Sequence, residues 1–196
     1  MTGGERLPGI GHNQGPTMEE GHLWRKFQWQ KAREAAMPKA IPLMVVRMRV
    51  ARARSLGMDY RSYAAIRQAT GRDILALLFS SNALQVVRAD APRMPMSREA
   101  ALGAVREARK LALVHRPLAP AGFRDANPVL DATEQAPIFT DSWADMRARL
   151  DDFVRSERLC GDQVLIIGDT AHERDWTTAA RAAGYLEAER YFAGQG

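Results

Sequence analysis

Two apolar runs, each closed by small polar residues, constrain this chain more than any other feature. DILALLFSS spans Asp73–Ser81 and QVLIIG spans Gln163–Gly168. Their apolar residues are continuous rather than alternating, which is how a strand buried on both faces reads. No apolar stretch approaches the roughly 18 residues of a membrane-spanning helix, so no membrane partner is expected. From residue 73 onward strand-like and helix-like segments alternate. The expected fold class is therefore α/β, a mostly parallel sheet flanked by helices, with an N-terminal helical extension.

The other segments fall into place around these two runs. SREAALGAVREARKLALV, residues 97–114, reads as one helix with Ser97 as its N-cap and Glu99 in its first turn. Residues 117–137 hold four prolines and read as a long loop, and PIFT, residues 137–140, as a short strand. Asp141 and Ser142 then stand ready to cap a helix whose Trp143, Met146, Leu150, Phe153 and Val154 share one face. A helix over 171–183, closed by Gly184, follows the second apolar run, and EAERYF reads as an edge strand.

Upstream the character changes. Residues 1–16 contain five glycines and two prolines without periodicity and read as a disordered tail. Residues 17–71 read as a basic helical part, with helices to Met37, from Pro42 to Leu56 and from Tyr60 to Thr70, and residues 72–196 as the α/β domain. A length of 196 residues and 46% hydrophobic residues suit one domain with such an extension. The N-terminus lacks the basic-then-apolar order of a signal peptide, and one cysteine, Cys160, forms no internal disulfide. A cytoplasmic protein is expected.

Charge is concentrated. The chain carries a net +5, yet residues 38–75 alone hold eight Lys/Arg against two Asp, so the remainder is slightly negative. Arg47, Arg49, Arg52, Arg54, Arg61, Arg67 and Arg72 are candidate contacts for a polyanion, nucleic acid above all, or for an acidic protein, with Tyr60 or Tyr63 available to stack. On a helical wheel Leu43, Val46, Val50 and Ala53 form an apolar stripe flanked by arginines on both sides, as when a helix packs on a core with its cationic heads in water. A helix-turn-helix over 60–84 is disfavoured: Arg67 stands where a small residue is needed, and the second helix would be too apolar for a major groove.

Parallel strands would gather their polar ends at one rim, where open α/β sheets bind ligands. Those ends are Ser80-Ser81-Asn82, Thr140-Asp141-Ser142 and Gly168-Asp169-Thr170. Ser80, Ser81, Asn82, Asp141, Asp169 and Thr170 are thus candidate ligand-binding residues. Asp141 and Asp169 have a second reading as helix caps. No phosphate-loop, dinucleotide, zinc or Gly-x-Ser-x-Gly signature is present.

VLIIGDTAHERDWTTAARAAG resembles the last motif of haloacid-dehalogenase-like phosphohydrolases: a strand ending in Gly-Asp, a second acid, then an alanine-rich helix. The resemblance implies Asp169 and Asp175 as magnesium ligands. LALLFSSN is similar to the family's phosphate-binding motif, which would fall on Ser80 or Ser81. The family's nucleophile is the first acid of an Asp-x-Asp pair, and no such pair occurs in this chain. Without that carboxylate, covalent phosphoryl transfer has no acceptor.

The leading expectation is accordingly a non-catalytic binding or accessory protein that meets its partner through the basic segment 38–75. A magnesium-dependent phosphate or nucleotide enzyme is the alternative. A protein-interaction subunit docking through Trp24 and Trp143 is the third.

Overall fold

The computed structural model describes Lys31 and residues 41–193. The tail expected over 1–16 and the aromatic residues Trp24 and Phe27 lie outside the described residues. The chain divides into two compact units, Met1–Pro42 and Leu43–Gly196, and the description concerns the second.

That unit opens with α1 (Leu43–Ser55) and α2 (Tyr60–Thr70) and then alternates: β1 (Ala76–Ser80), α3 (Met96–Ala104), β2 (Arg109–Val114), α4 (Pro120–Ala126), β3 (Ala132–Gln135), α5 (Trp143–Ser156), β4 (Val164–Gly168), α6 (Ala171–Ala179), β5 (Gly184–Glu187), α7 (Ala188–Ala193). The five strands form one sheet in the order β3-β2-β1-β4-β5. Every neighbouring pair is parallel, so the α/β sheet expected from the sequence is the one observed.

Both faces of the sheet are covered, which explains the unbroken apolar runs. Leu77, Phe79, Ala112, Val114, Leu165 and Ile167 point to one face and meet Leu56 and Tyr63 beside α1 and in α2, Leu102 of α3, Phe123 of α4 and Tyr191 of α7. Leu78, Leu111, Leu113 and Ile166 point to the other and meet Met146, Leu150 and Phe153 of α5 and Trp176 of α6. All five residues of β1 and of β4 are buried. The chain winds β1 to β2 to β3 under the first face, then crosses to β4 and β5 under the second. The reversal of direction lies between β1 and β4.

Several boundaries differ from the expectation. The helix expected over 97–114 is α3 followed by β2. Helix-forming residues continue through the junction, but the helix stops at Ala104, Glu107 adopts a left-handed conformation (φ 57°), and the Arg106 amide bonds to the Ser55 carbonyl at 2.7 Å. Packing overrides propensity here. Ser97 is not the cap, because the α3 N-cap is Pro95. The loop expected over 117–137 contains α4 and β3, and PIFT is a turn rather than a strand. The last segment EAERYF ends β5 at Glu187 and continues as α7. By contrast α2 is closed as its sequence implies: Asp59 accepts from the Ser62 amide, and Gly71 takes the left-handed turn (φ 70°) that glycine adopts without steric cost. Among the described residues no helix is long and apolar enough to cross a membrane.

Candidate functional site

The reversal between β1 and β4 falls at the carboxyl edge of the sheet, the usual ligand position in such folds. Phe79 pairs with Ile167, so Ser80 and Gly168 leave the sheet side by side. Ser80 also pairs with Leu113 of β2, which brings His115 to the same edge.

These three strand ends converge on one residue, Glu173, in the first turn of α6. Its side chain is wholly buried. One carboxylate oxygen accepts from the Asp169 amide (2.5 Å) and the Thr170 amide (3.0 Å). The other meets Asn82 Nδ2 at 2.8 Å and His115 Nε2 at 2.7 Å. The Ser80 hydroxyl also favours the charged form of this carboxylate. Burial by itself would push this carboxyl up. The hydrogen bonds from His115, the Asp169 amide and Ser80, together with the charge of His115, outweigh burial and hold it below the usual glutamate value. An ionised carboxylate only accepts, so the proton shared with His115 belongs to Nε2.

The local sequence builds this arrangement. Thr170 is the N-cap of α6: its hydroxyl accepts from the Glu173 amide while Glu173 reaches back to the Thr170 amide, a complete capping box. Gly168 permits it, because a Cβ there would stand 2.9 Å from Glu173 Oε2 and 2.9 Å from a Tyr185 ring carbon. The His115 ring stacks on the buried Trp176 indole, with centroids 5.5 Å apart. Burial, and after it the charge of Glu173, push the neighbouring Tyr185 hydroxyl up to about 12.

Of the residues singled out from the sequence, Ser80, Ser81, Asn82, Asp169 and Thr170 do gather here. Their roles separate. Ser80 and Ser81 are buried, and their hydroxyls serve the protein: Ser80 accepts from the Ala83 amide at 3.0 Å and Ser81 from the His115 amide at 3.1 Å. Asn82 anchors Glu173. Asp169 is exposed, and its side chain does not cap α6, since Thr170 does. Its charge acts on Arg98 of α3, whose guanidinium lies 3.6 Å from the centre of the Phe192 ring. Burial pulls Arg98 down and the Asp169 carboxylate opposes this.

Asp141 does not join them. It accepts from the Ile138 amide at 3.0 Å and lines a groove of about 570 Å³ with Glu134 of β3 and Asp145, Arg149 and Asp152 of α5, two strands away from β1. Ser142 caps α5 instead. Trp143 is half-exposed at the start of that helix, with Phe139 exposed nearby. Magnesium would draw on Asp169 and Asp175, both exposed, because the acceptor capacity of Glu173 is taken. Among the described residues no group of three or more His, Cys, Asp or Glu is arranged around a metal position. No strand precedes β1 among the described residues, so none carries an earlier nucleophilic aspartate.

The basic segment divides in two. Arg52 is a strut, with its side chain 14% exposed: Nε meets Asp73 at 3.0 Å, Nη1 meets Glu107 at 3.3 Å and Nη2 donates to the Ile74 carbonyl at 2.7 Å. Arg67 lies 3.6 Å from Asp73, and Arg72 2.8 Å from Asp162. Arg47, Arg49, Arg54 and Arg61 form no ion pair among the described residues. Of the two tyrosines, Tyr63 is not available to stack on a base and Tyr60 is only partly exposed. Tyr63 is buried and donates to Asp73 at 2.8 Å, and Tyr60 packs against the core. Along α1, Val46 and Val50 are partly buried and Ala53 fully, as the wheel indicates, but Leu43, Met44 and Met48 are 66%, 66% and 65% exposed.

Sequence reasoning missed His115 and Glu173. The Thr-x-x-Glu spacing of residues 170–173 was a readable capping signal, whereas His115 was hidden by reading β2 as helix. The chain matches no protein-family model, no curated protein and no solved structure.

Proposed function

We propose that this protein is a non-catalytic accessory protein that binds an acidic protein partner through α1 and the start of α2. The observation that carries the reading is the outer side of α1. Arg47 and Arg54 are exposed there, lack a described carboxylate partner and stand among the exposed Leu43, Met44 and Met48. Exposed aliphatic side chains of this size set among cations suit a protein surface that is both acidic and apolar. A nucleic acid would use the cations and leave the aliphatic groups without partners, and Tyr63 of α2 is buried.

The test is binding of labelled poly-L-glutamate and of a single-stranded oligonucleotide of matched charge, each across a salt series. Poly-L-glutamate should bind at low salt, weaken as salt rises, and weaken further with Arg47→Glu plus Arg54→Glu. No binding at low salt overturns the reading. Tighter binding of the oligonucleotide replaces it with the nucleic-acid one.

The gathering of Asn82, Asp169 and Thr170 at the sheet edge favours one second reading, a magnesium-dependent phosphate-processing enzyme of haloacid-dehalogenase-like type. Magnesium-dependent hydrolysis of p-nitrophenyl phosphate, abolished by Asp169→Asn, would establish it in place of the first.

A further inference from the structure

One nitrogen at the sheet edge is left unanswered. His115 follows β2, and its backbone amide donates to Ser81 Oγ at 3.1 Å. Its ring is fixed twice, by Glu173 at Nε2 (2.7 Å) and by the Trp176 indole, stacked with centroids 5.5 Å apart. Neither contact uses Nδ1, which has no hydrogen-bond partner among the described residues. The His115 side chain is 24% exposed, against 0% for Glu173. With the proton on Nε2, the free lone pair of the neutral imidazole is on Nδ1.

Glu173 already accepts from two amides and from Asn82, so its charge has partners without an imidazole. What the imidazole adds is a nitrogen at the rim with a fixed negative charge behind it. An electrophile bonded at Nδ1 leaves a positive charge on the ring. Glu173 meets that charge through the retained Nε2 proton, as a carboxylate does when it orients an imidazole and stabilises its cation. The next residue, Arg116, is exposed and forms no ion pair among the described residues, which adds a cation at the same strand end. A phosphoryl group gains from a guanidinium, whereas a neutral acyl group does not.

We infer that His115 is a phosphoryl-acceptor site, taking a phosphoryl group at Nδ1 from a small energy-rich phosphoryl donor. The site uses none of the α1 residues and goes beyond the partner-binding reading. Nδ1 forms the N–P bond with its lone pair, and the donor's bond to phosphorus breaks with its electron pair on the leaving group. The ring keeps its Nε2 proton toward Glu173, and with phosphoramidate as donor the leaving group is ammonia. Glu173 is a positioning residue, since it acts only through His115.

The experiment treats the full chain with potassium phosphoramidate. Peptide mapping at neutral pH follows each of the four histidines, and phosphorus NMR distinguishes the Nδ1 from the Nε2 isomer. His172 is the internal reference: its Nε2 lies 3.4 Å from the Pro137 carbonyl, and no carboxylate among the described residues holds its ring. His115 should be phosphorylated at Nδ1 about tenfold faster than His172, and His115→Asn should remove that fast product. Glu173→Gln, assayed at a temperature where circular dichroism shows it folded, should bring the His115 rate down to that of His172 and leave the His172 rate unchanged. Equal rates at the two histidines in the unaltered chain overturn the inference, as does modification of His115 at Nε2. A His115 rate unchanged in folded Glu173→Gln overturns it as well.

Discussion

The carboxyl edge of the sheet and the outer side of α1 invert the usual relation between chemical richness and availability. The sheet edge gathers one buried acid, Glu173, with an imidazole, a side-chain amide, two serines and three strand ends, the inventory of an active site. Nearly every one of those groups is answered by another protein group. The outer side of α1 presents Leu43, Met44, Met48, Arg47 and Arg54, which are exposed and, among the described residues, form no ion pair. Residue type alone therefore overstates the first region and understates the second. What distinguishes them is whether donors and acceptors are already used.

The sharpest way to break this contrast is Glu173→Ala. If the sheet edge is a satisfied structural hub, the substitution strands His115, Asn82 and two amides in a buried setting and costs about 3–5 kcal/mol in urea unfolding. A loss under about 1 kcal/mol would mean water already reaches that carboxylate. The same residue sets an acid limb. Its folded carboxyl is held below its unfolded value, so its contribution is complete above the ordinary glutamate range and is lost as pH falls through the folded value. Glu173→Gln should flatten that limb of the stability curve.

Gly168→Ala comes next, at about 1–3 kcal/mol, because the added methyl meets a fixed carboxylate and a ring rather than the loose end of a surface side chain. Thermal unfolding measures it, and a neutral result would show that Glu173 can step aside. Asp169→Asn should be the smallest effect, within about 0.5 kcal/mol, since the side chain is exposed and Thr170 does the capping. A loss near 1 kcal/mol would restore Asp169 as a cap.

Why the sequence revealed some elements and not others follows from burial. β1 and β4 are covered on both faces, and their runs Ala76–Ser80 and Val164–Gly168 could be read directly. β3 is an edge strand of four residues, Ala-Thr-Glu-Gln, of which only Ala132 is buried, with no large apolar side chain to announce it. β2 is apolar enough, but Arg109–Val114 continues a stretch of good helix formers, and only contacts with β1 and α1 decide its state. Reading that strand as helix is also what hid His115. The polar strand ends were placed together correctly because the rule used two buried parallel strands, and both existed. Asp141 was misgrouped because it depended on a strand, PIFT, that is a turn.

Thr170 and Glu173 close the first turn of α6 and in the same stroke tie it to the ends of β1 and β2. The lip of the sheet is thereby denied independent breathing: α6 cannot fray from its start without also releasing Asn82 and His115. Amide protons of Asp169 and Thr170 should then exchange with solvent only as slowly as those of the central strands, making this rim part of the last region to open rather than a hinge.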